Sequence, residues 1–235
     1  MKSFEISQLL IFVPQGAEYQ SVMQGLKNCP NPPQILPIPV GIVPVTRYLE
    51  NWWQKQDKSP LGFNAVLLMG LGGSLSTELG LGQATLIKSC LKREKGALTT
   101  IHNSDPQLNL WIQQRLGHNV SLVQGITSDR VITQATEKQK LGQTLNCQVV
   151  DMEGWAVLEF FAEKQIPVSI LRVISDEVNQ SLPDLSRAYD TSGNLKAIAL
   201  TVALLQKPIA GLNLIRGSLQ ALKRLEQVVC NLFTQ

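Results

Sequence analysis

The chain has no CxxC pair, only two histidines, and little excess charge of either sign. Each shortage excludes a class of protein. The cysteines, Cys29, Cys90, Cys147 and Cys230, are too widely and irregularly spaced for a zinc motif, and a chain of 235 residues can bury a core without disulfide staples. Reduced thiols in a cytoplasmic protein are expected. His102 and His118 have no neighbours at metal-ligand spacing, so no metal and no cofactor is expected. A net charge of +3, with Lys and Arg scattered, does not suit nucleic-acid binding. The mild cluster of Lys92, Arg93 and Lys95 reads as a solvated face. The opening "MKSFEISQLLIFVPQGAE" places Glu5 before its apolar run and lacks a small-residue cleavage site, so a signal peptide is not expected. The longest apolar region near the C-terminus, "AIALTVALLQKPIAGLNLI", is broken by Gln206, Lys207 and Pro208 and falls short of a membrane span. Contact of that tail with a membrane surface stays open. Nucleotide fingerprints are missing too. In "GLGGS" a GxGxxG would need glycine at 75, which is Leu75, and no GK[ST] follows. A dinucleotide-dependent oxidoreductase is therefore disfavoured.

What remains is a chain that is 44% hydrophobic and 17% charged, a globular balance. "LLIFVP" (Leu9–Pro14) reads as a buried strand and "AEYQSVMQGL" as a helix. The Pro-rich "CPNPPQILPIPVGIVP" cannot be a central helix. "RYLENWWQKQ" and "NLWIQQRL" read as helices, and "NVSLVQGITS" as a strand followed by a loop. "NAVLLMGLGGSL" reads as a strand running into a glycine-rich turn. Residues 154–165 suit a helix, and "PVSILRVIS" a buried strand after the Pro that ends it. "SGNLKAIALTVALL" and "LIRGSLQALKRLEQVVCNLF" read as closing helices. Strands alternating with helices predict an α/β three-layer sandwich around a central mixed, mostly parallel sheet. No repeat or long linker divides residues 1–235, so a single domain is expected.

Ligands of open α/β sheets bind at the carboxyl ends of the strands. Three strand ends carry notable groups: Glu18 after the first strand, the glycines of "GLGGS" after the middle one, and Ser175 and Asp176 after the strand from Pro167; a further acid, Glu153, opens the helix of residues 154–165. Each acid alone has an ordinary reading as a cap or first-turn residue, and for Glu153 the capping reading is favoured on position alone. Together they would converge on one edge of the sheet, where partial desolvation shifts carboxyl pKa values toward neutrality.

"VVDMEGWAVLEFFAEKQIPVSILRVISDE" resembles the signature region of the nucleoside phosphorylase and nucleosidase superfamily, with V-D-M-E, a helix, then P-x-x-x-x-R-x-I-S-D. "GLGGSLSTELGLGQATL" is similar to the family's glycine segment, and "FVPQGAEYQSV" to the first strand and acidic loop of its nucleosidases. The tail from "LPDLSRAYD" to "ALKRL" resembles a hopanoid-associated subgroup. The resemblance implies cleavage of the N-glycosidic bond of a purine nucleoside or 5′-modified adenosine, with an adenosyl-lipid as one substrate option, by a homodimer. It implies that Asp176, supported by Ser175, serves the purine leaving group, and that Glu153 holds the ribose hydroxyls with Met152 packed on the sugar. Glu18 would activate water. Gly70, Gly72 and Gly73 would line the sugar side, and Val131 and Ile132 the base pocket.

The sequence departs from that pattern at five positions. Leu68 and Leu71 stand where phosphorylases carry an Arg and a Ser for phosphate, so hydrolysis is expected over phosphorolysis and phosphate is disfavoured as a co-substrate. Val131 replaces an aromatic that would stack on adenine, Gln83 an Asp, and Trp155 a small residue. The competing reading is a nucleoside-binding or lipid-associated protein that keeps the fold without turnover.

Overall fold

The computed structural model describes residues 4–56, 62–94, 97–184, 192 and 208–234. Its strands are β1 (Leu9–Pro14), β2 (Gln34–Ile38), β3 (Ala65–Ser74), β4 (Ala84–Glu94), β5 (Ala97–Asn103), β6 (Val120–Ser128), β7 (Val149–Asp151) and β8 (Val168–Asp176). Its helices are α1 (Ala17–Gly25), α2 (Ile42–Gln54), α3 (Pro106–Leu116), α4 (Ala135–Leu145), α5 (Gly154–Ala162) and α6 (Pro208–Phe233).

The strands form one mixed sheet. β1 pairs in parallel with β2 and β3, and β3 in parallel with β8. The sheet then curls on itself: β8 meets β4, β4 meets β6, β6 meets β7, and β7 returns to β3, closing a ring of strands. Strand periodicity of two divides the core into layers. Leu9, Ile11 and Val13 of β1, with Ala65, Leu67 and Met69 of β3, pack on one face under α1, α3 and α6. Leu10, Phe12, Val66 and Leu68 face the other way, toward α2 and α5. There Phe12, Trp52, Phe63 and Phe161 meet ring to ring at centroid separations of 5.4–6.5 Å. This is the expected three-layer arrangement. Both faces of β1 and β3 are buried, which is why they read as continuous apolar runs.

Two expectations need correction. "GLGGS" does not turn: Gly70–Ser74 continues β3, because β8 pairs it on one side and β7 on the other. The helix expected to begin at Arg47 begins at Ile42, since Pro44 falls within the first turn, where its missing N–H costs nothing. The Pro-rich segment also contributes an edge strand, β2, which tolerates Pro37. β4, β5 and α4 were not anticipated. The helix expected over "SGNLKAIALTVALL", and most of the tail resembling the hopanoid-associated subgroup, lie outside the described residues. Among the described residues no helix is long and apolar enough to cross a membrane.

Candidate active site

β1, β3 and β8 run parallel and side by side, so their carboxyl ends open on the same edge. The segments after β1 and around β8 then bring the acids to β3.

Glu18 lies in the first turn of α1, directly after β1. Its carboxylate does not cap α1; Oε2 accepts a hydrogen bond from the backbone N–H of Leu71 in β3, 2.6 Å away. The residue keeps part of its surface exposed, while the carboxyl itself is enclosed by protein. Burial, opposed by Arg172 and reinforced by Glu153, raises its pKa from 4.5 to about 7.

Arg172, in the middle of β8, is fully buried. Its Nε and Nη2 donate to Asp151 Oδ2 at 3.0 and 2.9 Å, and Nη2 also donates to Glu153 Oε2 at 3.0 Å. Nη1 has no hydrogen-bond partner among the described residues. A buried guanidinium donor without a partner is costly, and its position shows what it faces. A Cβ placed on Gly70 would collide with both Arg172 Nη1, at 2.5 Å, and Glu18 Oε2. A side chain at 70 would have to displace both groups, and Arg172 Nη1 and the Glu18 carboxylate thus flank the same point of β3.

Glu153 precedes α5 but makes no side-chain capping bond. Oε1 instead accepts from the Gly41 N–H at 3.0 Å, and Oε2 from Arg172. Burial raises its pKa, with Arg172 acting in the opposite sense. The capping role belongs to Asp151, whose Oδ2 accepts from the Gly154 N–H at 3.1 Å while Thr127 donates to Oδ1. Asp151 is thus consumed in structure: it starts α5 and anchors Arg172.

Asp176 ends β8. The β3–β8 register slips between Gly72 and Gly73, making Ser175 the extra residue of a bulge, a device that re-aims side chains. Ser175 Oγ donates to Asp176 Oδ2 at 3.0 Å. A Cβ on Gly73 would lie 3.1 and 3.2 Å from the two Asp176 oxygens. Asp176 Oδ1 accepts from Lys138 Nζ, a fully buried ammonium on α4.

Glu18 and Asp176 therefore lie against one strand, at Gly70 and Gly73, with Ser175 beside Asp176, and Glu153 joins them through Arg172. Gly72 sits between, under Val149 and the Arg172 Cβ. Met152 and Val131 are half-buried. Ile132 is buried in a small apolar cluster with Leu75, Ile126 and Val150, the last of which packs against Gly73. Trp155 is spent on packing: its indole N–H donates to the Thr100 carbonyl at 2.8 Å and its ring lies beside His102. Gln83 likewise is structural, its amide donating to Ser121 Oγ at 3.0 Å.

Sequence reasoning passed over two residues of this site. Arg172 carried a signal, a lone cation inside the apolar run "SILRVIS". Lys138 carried almost none, standing in the polar stretch "TEKQK". Among the described residues no group of three or more His, Cys, Asp or Glu side chains is arranged to hold a metal ion.

Fold and site together define an α/β protein that gathers carboxylates at the carboxyl ends of parallel strands. A family model described as the phosphorylase superfamily matches residues 46–205. The chain belongs to the phosphorylase superfamily, a family of enzymes. Sequence comparison with curated proteins gives no match. Among solved structures it is similar to the futalosine hydrolase of Helicobacter pylori, at TM-score 0.68 and 12% identity over 97% of both chains. It is similar also to a putative 5′-methylthioadenosine/S-adenosylhomocysteine nucleosidase of Francisella philomiragia, at TM-score 0.67 and 16% identity over 97% of this chain and 99% of that one. The 5′-methylthioadenosine/S-adenosylhomocysteine nucleosidase of H. pylori, solved with butyl-thio-DADMe-Immucillin-A, matches at TM-score 0.65 and 15% identity over 96% and 99%.

Proposed function

We propose that the chain hydrolyses the N-glycosidic bond of a purine nucleoside or a 5′-modified adenosine, acting as one domain over residues 1–235. The observation that carries this reading is the approach of Glu18 and of Arg172 Nη1, which has no partner among the described residues, to Gly70. A carboxyl with a pKa of about 7 can take a proton from water at neutral pH, and the free N–H can orient that water. Breaking the bond builds positive charge on the sugar and negative charge on the base. Glu153 would hold the ribose hydroxyls, with Met152 on the sugar; Asp176, with Ser175, would serve the base, with Val131 and Ile132 near it. The division of labour between carboxylates parallels that of glycoside hydrolysis.

Charge favours water over phosphate as the nucleophile. Three carboxylates, Glu18, Asp151 and Glu153, share the single guanidinium of Arg172. That surplus of negative charge repels a phosphate dianion and stabilises a cationic sugar. Leu68 and Leu71 add no side-chain donor. The names of the similar structures, a futalosine hydrolase and nucleosidases, support the same reaction class. The free cysteines agree with a cytoplasmic enzyme, and the family resemblance with a homodimer.

The test is base release from adenosine, inosine, methylthioadenosine and an adenosine bearing a long 5′ alkyl group, with and without phosphate. Free base in the absence of phosphate is expected. Release only with phosphate would replace hydrolysis by phosphorolysis. Nucleoside binding without release would make the protein a binding module.

A further inference from the structure

Lys138 is an anomaly among the described lysines. It lies one turn into α4 in a polar stretch, yet it has no exposed surface. Its ammonium has three N–H donors and three acceptors: Asp176 Oδ1, and the carbonyls of Glu177 and Gln180, each of these two at 3.1 Å. α4 is held in this place from both sides. Its N-terminus is tied to the segment after Asp176, through Ala135 N–H to Ser181 Oγ at 3.2 Å and Leu182 N–H to the Thr133 carbonyl at 2.8 Å. One turn beyond Lys138 and on the same face, Gly142 lies against the Leu75 carbonyl so closely that any Cβ would collide with it.

A fully buried ammonium is expensive, and a surface lysine would have satisfied α4 equally well. The pairing also creates a chemical question. Asp176 only accepts hydrogen bonds here, from Lys138 and Ser175, so the proton for a leaving base must have a source. The donor geometry answers it. If one proton moves from Nζ to the Asp176 carboxylate, the neutral amine keeps two N–H donors for the Glu177 and Gln180 carbonyls and turns its lone pair toward Asp176. Both tautomers of the pair fit the same three contacts.

We propose, resting on the N-glycosidase reading above, that Lys138 is a positioning residue that stores the proton Asp176 delivers to the leaving base. The step balances. As the C–N bond breaks, its electron pair passes to the base. Asp176 takes one proton from Lys138, which becomes an amine, and passes it to the base. Water supplies hydroxide to the anomeric carbon and its remaining proton to Glu18. Glu18 then loses that proton to solvent, and Lys138 takes one up.

The test compares base release by the wild type, Lys138→Arg, Lys138→Met, Asp176→Asn and the double variant Lys138→Met/Asp176→Asn. Arginine keeps the charge but does not give up its proton. Loss of roughly 10²-fold or more in both Lys138→Arg and Lys138→Met is expected. The double variant, which leaves no unpaired charge and so does not depend on either single variant folding, should be no slower than Asp176→Asn alone. Near-wild-type release by Lys138→Arg, or a further loss in the double variant, would overturn the proposal and leave Lys138 a structural ion pair. Absence of base release from the wild type across the nucleoside panel would instead overturn the N-glycosidase reading, and the proposal with it.

Discussion

Two buried cations organise the end of β3, and they do so in opposite ways. Arg172 is outnumbered: it answers to Asp151, Glu153 and Glu18 and still has the NH2 group of Nη1 without a partner among the described residues. Lys138 is matched: its ammonium serves one carboxylate and two carbonyls and nothing is left over. An outnumbered cation leaves spare acceptors and a spare donor, the equipment needed to bind and deprotonate a water molecule. A matched cation leaves a closed pair that can hold one proton and pass it on. The two ends of the proposed reaction, attack and departure, thus fall on two regions of the same strand with opposite surpluses.

The largest effect should follow from removing the cation of the outnumbered region. Arg172→Met leaves Asp151 and Glu153 buried without a counter-charge. Breaking buried pairs from one side typically costs about 3–5 kcal/mol. Urea denaturation should show a loss of that size, and base release should vanish with it. If Asp151→Asn is added, part of the lost stability should return, because one of the stranded charges is gone. Unchanged stability in Arg172→Met would mean the three carboxylates do not depend on Arg172, and the contrast between the two regions would collapse.

Next in size is Glu18→Gln, which removes the acceptor for the proton of water. Base release should fall roughly 10²–10⁴-fold, the usual worth of a general base. In the wild type, kcat/KM should decline below about pH 7, because a protonated Glu18 accepts nothing. The stability effect has the opposite sense. The folded pKa of about 7 lies above the ordinary value of 4.5, so the native state binds the extra proton between those values. Stability therefore falls as pH rises from 4.5 toward 7, and the penalty persists above it. Glu18→Gln should abolish that slope and make the protein more stable than wild type above pH 7. A rate profile flat through pH 7 would remove Glu18 from the chemistry. Asp176→Asn should slow release by at least ~10²-fold with no change in its pH limb near 7, since the limb belongs to the other region.

The same contrast explains what could be read without coordinates. β1 and β8 were legible because strands buried on both faces leave unbroken apolar runs such as "LLIFVP" and "SILRVIS". The acids of the outnumbered region stand at the ends of such runs, where any carboxylate attracts notice. β4 was missed because "ATLIKSCLKRE" mixes buried and charged residues, since the curled sheet buries its faces unevenly. The glycines at 70–73 suggested a turn because glycine usually marks one. Here they are a strand stripped of side chains so that Glu18, Arg172 and Asp176 can crowd against it. Lys138 stayed hidden for a related reason: a buried lysine and a solvated one have the same neighbours in sequence, and only the approach of α4 separates them.

That approach supplies the smallest and sharpest test. Gly142→Ala would push a methyl group against the Leu75 carbonyl and carbons, two of which lie 3.1 and 3.2 Å from the Cβ position. Overpacking of this kind costs about 1–3 kcal/mol. The gain from replacing glycine in a helix offsets about 1 kcal/mol of it. A net loss of up to about 2 kcal/mol is expected, with α4 displaced and Lys138 drawn away from Asp176. Base release should drop about tenfold, the equivalent of only 1.4 kcal/mol in the barrier, while the pH limb of Glu18 keeps its position. Thr144→Ala, on the exposed side of the same helix, should change neither quantity. If Gly142→Ala instead shifted the pH limb and spared the rate, α4 would be coupled to the water side of the site, and the assignment of attack to Arg172 and departure to Lys138 would have to be reversed.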